Sequence, residues 1–249
     1  MAYNQTFPTS TNDDYDYDYE EASEMFVWTE LMPTLIIYSI TMILGIVGNV
    51  LIVLTTLLYK RMKSPTNLFL SSLAVTDLLL IVFCIPVKVA KLFSYSWSMG
   101  ALLCKTVHYM QSFTAICSVL TLTVMSIERY YAIMYPMKAK YICTISQTKK
   151  TITAIWLISA ILAAPILLVQ ILLPVGVRIQ AFWCVRNLDN VLLWRIYELY
   201  MLFVILVIPT TIMSITYSTI VLEIHNIKVC KVRDFYNLNI IYINLNCTL

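Results

Sequence analysis

The chain has 249 residues, of which 60% are hydrophobic and 12% charged, with a mean hydropathy of +0.78. A soluble domain ordinarily carries about 25% charge, so this composition excludes a water-soluble enzyme or a nucleic-acid-binding module and makes lipid the solvent. The net charge of +3 conceals a segregation, because the first thirty residues hold eight acids and no base.

Residues 1–32 are polar, acidic and rich in tyrosine, centred on Asp14-Tyr15-Asp16-Tyr17-Asp18-Tyr19-Glu20. They contain no apolar period to bury and read as a disordered tail. Asn4-Gln5-Thr6 fits the glycosylation sequon. No basic-then-apolar leader is present, so the first span is expected to act as the insertion signal.

Residues 33–59 are almost wholly apolar, which at ~1.5 Å per residue is enough to cross a hydrocarbon core of ~30 Å. Lys60, Arg61 and Lys63 follow at once, and such an excess in a short loop marks the cytoplasmic side, leaving the acidic tail outside. Further apolar stretches at 66–93, 102–134, 149–173 and 194–225 complete five spans. Loop 135–148 and its flank carry Lys138, Lys140, Lys149 and Lys150 with no acid and fall inside, while loop 174–193 mixes Arg178 and Arg186 with Asp189 and falls outside. Residues 226–249 turn to Asn, Ile and Tyr in mixed order, too short and too polar for another span, and read as a cytoplasmic tail.

Polar residues inside the spans are the candidates for function. Asp77 lies about eleven residues into the second span, where a carboxylate costs roughly 2.5 to 3.5 kcal/mol and needs a partner. Asn49 and Ser118 reach similar depth; the plain alternative is a structural knot between helices. Pro86, Pro165 and Pro209 each remove a helical hydrogen bond and kink their helices. The seven cysteines sit mostly in apolar runs as small hydrophobes, and His108 and His225 stand apart from any metal-spaced cluster. The four glycines form no phosphate cradle, and no nucleophile, base and orienting group occur together, so neither a cofactor nor enzymatic chemistry is expected.

The third span begins at Cys104 and ends with Glu128-Arg129-Tyr130, 25 residues or about 37 Å apart along one helix. Standing alone, Arg129 would be a helix-end cation snorkelling to the interface. With Gly48-Asn49, Leu73-Ala74-Val75-Thr76-Asp77, Trp97-Ser98-Met99-Gly100, Trp156, Pro165, Pro209 and Tyr217 in order, the chain resembles the rhodopsin-like (class A) G-protein-coupled receptors. The likeness covers about residues 33–225 and implies an all-α membrane protein, a rhodopsin-like helical bundle with only five of its seven spans present. Gln111 stands where amine receptors of the family carry an aspartate, which points to the neuropeptide branch, orexin-like or related.

The resemblance implies a disulfide between Cys104 and Cys184, with free thiols as the alternative. It implies G-protein coupling through Glu128, Arg129, Tyr130, Pro136, Met137 and Tyr217, and a sodium or polar core of Asp77 and Ser118 with Asn49 as hydrogen-bond partner. A ligand pocket is expected from Lys88, Tyr109, Gln111 and Gln170, with Lys91 beside them; interfacial snorkelling is the alternative for both lysines. The acidic tyrosine run suits sulfation and a basic ligand, or serves only to solubilise. The implied protein is a plasma-membrane receptor, amino terminus outside, that binds an extracellular peptide and couples to a heterotrimeric G protein once completed by its remaining spans. Its other partner is membrane lipid, and nucleic acid is not among them. A second reading is a non-signalling shorter isoform, held in the endoplasmic reticulum, that associates with full-length receptor and modulates its trafficking; read-through or an incomplete gene model is a third. No inverted repeat supports a transporter.

Overall fold

The computed structural model describes residues 28–59, 63–94, 96–175, 181–187 and 190–236. Asn4, the tyrosine run, Lys60, Arg61, Arg178, Asp189 and residues 237–249 lie outside the described residues. Five helices among the described residues are long and apolar enough to cross a membrane: Leu31–Leu58, Pro65–Leu92, Gly100–Met134, Ile145–Val169 and Val191–Ile227. The fold is thus the expected helical bundle. A seven-residue helix, Pro136–Ile142, joins the third and fourth spans.

The second and fourth spans start at side-chain caps. The Ser64 hydroxyl accepts from the Asn67 amide at 3.2 Å, with Pro65 in the first turn where its missing N–H costs nothing. Thr144 caps the fourth span by accepting from the Gln147 amide at 3.4 Å. That cap starts the span at Ile145, four residues before the expected residue 149, so Lys149 and Lys150 belong to its inner end. Within the third span, Thr106, Thr114, Thr121 and Thr123 donate their hydroxyls to carbonyls one turn back, which satisfies them without water.

The three prolines act differently. Pro86 follows a π-helical turn at Leu80–Cys84 and Pro209 one at Phe203–Val207; a ring that cannot donate and crowds the carbonyl four residues back is accommodated by one wider turn. Pro165 interrupts the fourth span, and a four-residue helix, Ile166–Val169, completes it. The chain then enters an antiparallel hairpin of β1 (Gln170–Val175) and β2 (Ala181–Arg186), paired from Gln170↔Arg186 to Val175↔Ala181. The expected end of the fourth span at residue 173 is therefore corrected to Val169. The fifth span's helix begins at Val191 and runs to Tyr236, past the expected end at 225.

The third span is the axis of the bundle, touching the second, fourth and fifth spans and the hairpin. Phe69, Cys117 and Ile155 bring three spans together, and Phe113, Ile116 and Ala163 form a second cluster toward the Cys104 end of the third span. Polar ties fix the register: Trp156 donates its indole N–H to Ser72 Oγ at 3.0 Å, and Tyr200 donates to the Leu162 carbonyl at 2.9 Å. On the first span, a Cβ added to Gly45 would run into the Ile81 side chain; the bare glycine lets the first two spans approach.

Candidate functional site: an outer mouth, a polar core and an inner face on one helix

The outer mouth is built on the hairpin. Cys104, in the first turns of the third span, is disulfide-bonded to Cys184 of β2, with Cα atoms 5.7 Å apart and a sequence separation of 80. The Trp97 amide donates to the Phe182 carbonyl at 2.6 Å, and its indole donates to the Gly100 carbonyl at 2.7 Å. Gly100 sits at φ +78°, a left-handed value that glycine adopts without strain and that turns the chain into the third span. The Asn187 amide closes the hairpin on the Val169 carbonyl at 2.8 Å. Hairpin, first outer loop and third span are thereby one unit.

Gln170 is 4% exposed, its amide 3.4 Å from Cys184 Sγ. It lies at the start of β1 beside the disulfide, which corrects its expected place on the fourth span. Tyr109 donates its hydroxyl to the Ala160 carbonyl at 3.1 Å and stacks its ring on Phe113 at 6.4 Å, so it ties the third span to the fourth. Gln111 is half-buried on the third span, and its carbonyl accepts from the Thr114 hydroxyl at 3.1 Å. Lys88 is half-buried and Lys91 exposed.

The structure adds residues that sequence reasoning passed over. The charges of Lys91, Lys88 and Arg186 all bear on the half-buried His108, making the mouth basic. Arg186 also forms an ion pair with Glu198 and lies 5.6 Å from the Trp194 ring centroid. Ser112 and Tyr197 hydrogen-bond at 3.1 Å between the third and fifth spans. A cavity of about 210 Å³ opens between Lys91, Trp97, Trp183 and the disulfide. Strand alternation carries the missing signal for Arg186: two residues past Cys184, it falls on the same face of β2.

In the polar core the Ser118 hydroxyl reaches both Thr76 Oγ1, at 3.2 Å, and the Asp77 carboxyl. Asn49 instead donates to the Gly45 carbonyl of its own helix at 2.9 Å, so the expected bond from Asn49 to this pair is not made. A carboxylate with two hydroxyl groups is a donor set that fits a hard monovalent cation.

On the inner face the third span ends at Met134. Glu128 is half-buried with its Oε2 enclosed and without a hydrogen-bond partner, while Arg129 is exposed. Tyr130, Tyr131 and Tyr135 contact one another edge to face or tilted, with centroids 5.7 to 6.3 Å apart, and Lys138 Nζ lies 5.3 Å from the Tyr135 centroid. Pro136 opens the short inner helix, from which Met137 projects 78% exposed. Ser126 and Thr216 hydrogen-bond at 2.5 Å between the third and fifth spans. Tyr217, about 100° further round that helix, is 50% exposed.

Residues 48–235 match the family model described as 7 transmembrane receptor (rhodopsin family). The chain is 37% identical over 137 residues to a QRFP-like peptide receptor of Branchiostoma floridae, covering 55% of this chain and 36% of that protein. It is 32% identical over 196 residues to the gastrin/cholecystokinin type B receptor of Mus musculus, covering 79% and 43%. To the growth hormone secretagogue receptor type 1 of Sus scrofa it is 37% identical over 143 residues, covering 55% and 39%. The chain thus spans less than half the length of these curated relatives. A match over most of its residues, with the stapled third span and its inner Glu128-Arg129-Tyr130 in place, establishes that the chain belongs to the rhodopsin family of seven-transmembrane receptors.

Proposed function

We propose that the chain forms the peptide-receiving and transmitting part of a plasma-membrane receptor that couples to a heterotrimeric G protein, with its amino terminus outside the cell. The observation that carries this is one helix with a stapled mouth at one end and an exposed Arg129 at the other, followed at once by the short helix that carries Met137. Peptide names borne by the relatives support the ligand class, and a mouth walled by Trp97 and Trp183 suits a peptide side chain. Lys91 lines this mouth, and its charge, with those of Lys88 and Arg186, bears on His108 of the third span, which favours an anionic or neutral part of the peptide there. The acidic tail outside complements a basic stretch of the same peptide.

At the inner face, Met137 supplies an apolar knob and Lys138 a flanking cation for the G protein, with Pro136 setting the turn. Glu128, Arg129, Tyr130 and Tyr217 form the surface that changes partner between states. Asp77 and Ser118 would hold the sodium ion that the family implies, a bound charge that stabilises one state of the core. The test is a chain completed with the sixth and seventh spans of a peptide-receptor relative, read by calcium and cyclic-nucleotide signals against a panel of peptides. A peptide response abolished by Arg186→Ala or Lys88→Ala supports the reading. Surface expression with no response to any peptide contradicts it.

Association with a longer receptor chain is the second reading, favoured by the first and fifth spans, whose most apolar windows are 0% and 6% buried. Co-expression that leaves the surface level of the longer receptor unchanged rules it out.

A further inference from the structure

Opposite charges meet at the mouth end of the bundle. The succession of spans brings the start of the first, the end of the second and the start of the third to one membrane face. The first span packs against the helix Ile85–Leu92, which carries Lys88 and Lys91. Among the described residues at that face the bases are Lys88, Lys91, Lys105, Arg186 and Arg195, and the acids are Glu30 and Glu198. Arg186 is paired with Glu198, and among the described residues Lys88 and Lys91 have no ion-pair partner. Residues 13–24 hold seven acids and no base.

Reach and pattern both fit. Gly45 meets Ile81 between the first two spans, so at ~1.5 Å per residue the helix start at Trp28 stands roughly 10 Å beyond the level of Lys91. From Trp28 back to Glu21 an extended chain reaches about 24 Å, enough to cross two helix spacings of ~10 Å each. The run Asp14-Tyr15-Asp16-Tyr17-Asp18-Tyr19-Glu20 alternates acid and ring, and an extended segment puts alternate side chains on opposite faces. The mouth cavity is lined by Trp97 and Trp183 as well as by Lys91, a partner for each face.

We propose that residues 13–21 occupy the mouth of their own chain before a ligand arrives. One tyrosine seats between Trp97 and Trp183, and its acidic neighbours lie on Lys91 and, one turn deeper, Lys88. Tethering supplies the segment at about millimolar effective concentration, so weak contacts suffice and release stays easy. Arrival of a peptide is then an exchange, in which its anionic part takes the mouth and the freed acids take its basic stretch. That exchange rests on the proposed peptide reading, whereas the contact itself needs neither a peptide nor a G protein.

The full chain, one copy per phosphatidylcholine nanodisc, is treated with a water-soluble carbodiimide. The reagent activates a carboxylate, and a lysine amine in direct contact displaces the urea and forms an amide; peptide mass mapping identifies the lysine. Bonds from residues 13–21 to Lys91 should exceed those to Lys105, at the same face but off the cavity wall, by about fivefold. The excess should vanish in 1 M NaCl, where the screening length is about 3 Å. A chain with Tyr15→Ser, Tyr17→Ser and Tyr19→Ser keeps every acid and the whole sequence of the spans, and should lose roughly two thirds of the Lys91 product. Equal yields at Lys91 and Lys105 overturn the proposal, as does an undiminished Lys91 yield in the tyrosine variant. The predicted bonds in a chain that answers no peptide support the contact and count against the peptide reading alone.

Discussion

The two ends of the third span are held by different physics. The outer end is closed by a covalent bond, a two-stranded ladder and the two Trp97 hydrogen bonds. The inner end is held by side-chain packing, the Ser126–Thr216 contact and a ring of tyrosines, with a carboxylate oxygen left unpartnered. On the proposed function, the mouth that receives the ligand is the stapled end, and the face that exchanges partners is the end whose interactions break at small cost.

The sharpest way to break the contrast is at the staple. Cys184→Ser removes a link across 80 residues, which in the chain-entropy view is worth at most about 4.5 kcal/mol; thermal unfolding in detergent should show the largest drop of any variant described. An unchanged midpoint would mean that the hairpin needs no staple. Trp156→Ala follows, because it removes the tie to Ser72 and the edge-to-face contact with Phe113 at 5.8 Å. A loss of about 3 kcal/mol is expected, read by the same melt.

Ser126→Ala touches only the inner tie and should cost about 0.6 to 1 kcal/mol, with the outer mouth's ligand binding unchanged. A loss comparable to that at the staple would erase the distinction between the two ends. Smallest is the titration of Cys143. Burial raises its thiol first and the Glu128 carboxylate second, so Glu128→Gln lowers that value and leaves more thiolate at pH 8. Alkylation by a neutral reagent should quicken by about twofold, and slower alkylation would contradict the assigned cause.

The spans were legible because twenty-odd apolar residues have one solution in lipid. The hairpin was not, because Gln170-Ile171-Leu172-Leu173 continues the apolar run of the fourth span and periodicity cannot separate a buried strand from a helix. Pro165 was the available warning. Lys149 and Lys150 pushed the expected start of that span too far along, although lysines at a helix end reach the interface by their stems; the Thr144 cap marks the true start. Tyr109, Phe113, Ile116 and Leu120 recur at helical spacing on one apolar face, a signal for the contact of Tyr109 with a neighbouring helix that sequence reasoning did not use. The grouping of His108 with Lys88, Lys91 and Arg186 brings together three separate segments, which only tertiary structure can do.

The account rests on a third span that crosses the membrane with its cysteine outside and its arginine inside. The direct test places single reporter cysteines at Leu102, 83% exposed beside the outer end, and at Met137, 78% exposed on the inner helix, keeping Cys104 and Cys184 and replacing the other cysteines. With a membrane-impermeant maleimide on intact cells, Leu102→Cys should label at once and Met137→Cys only after permeabilisation. Labelling of both from the same side of the membrane would contradict the account.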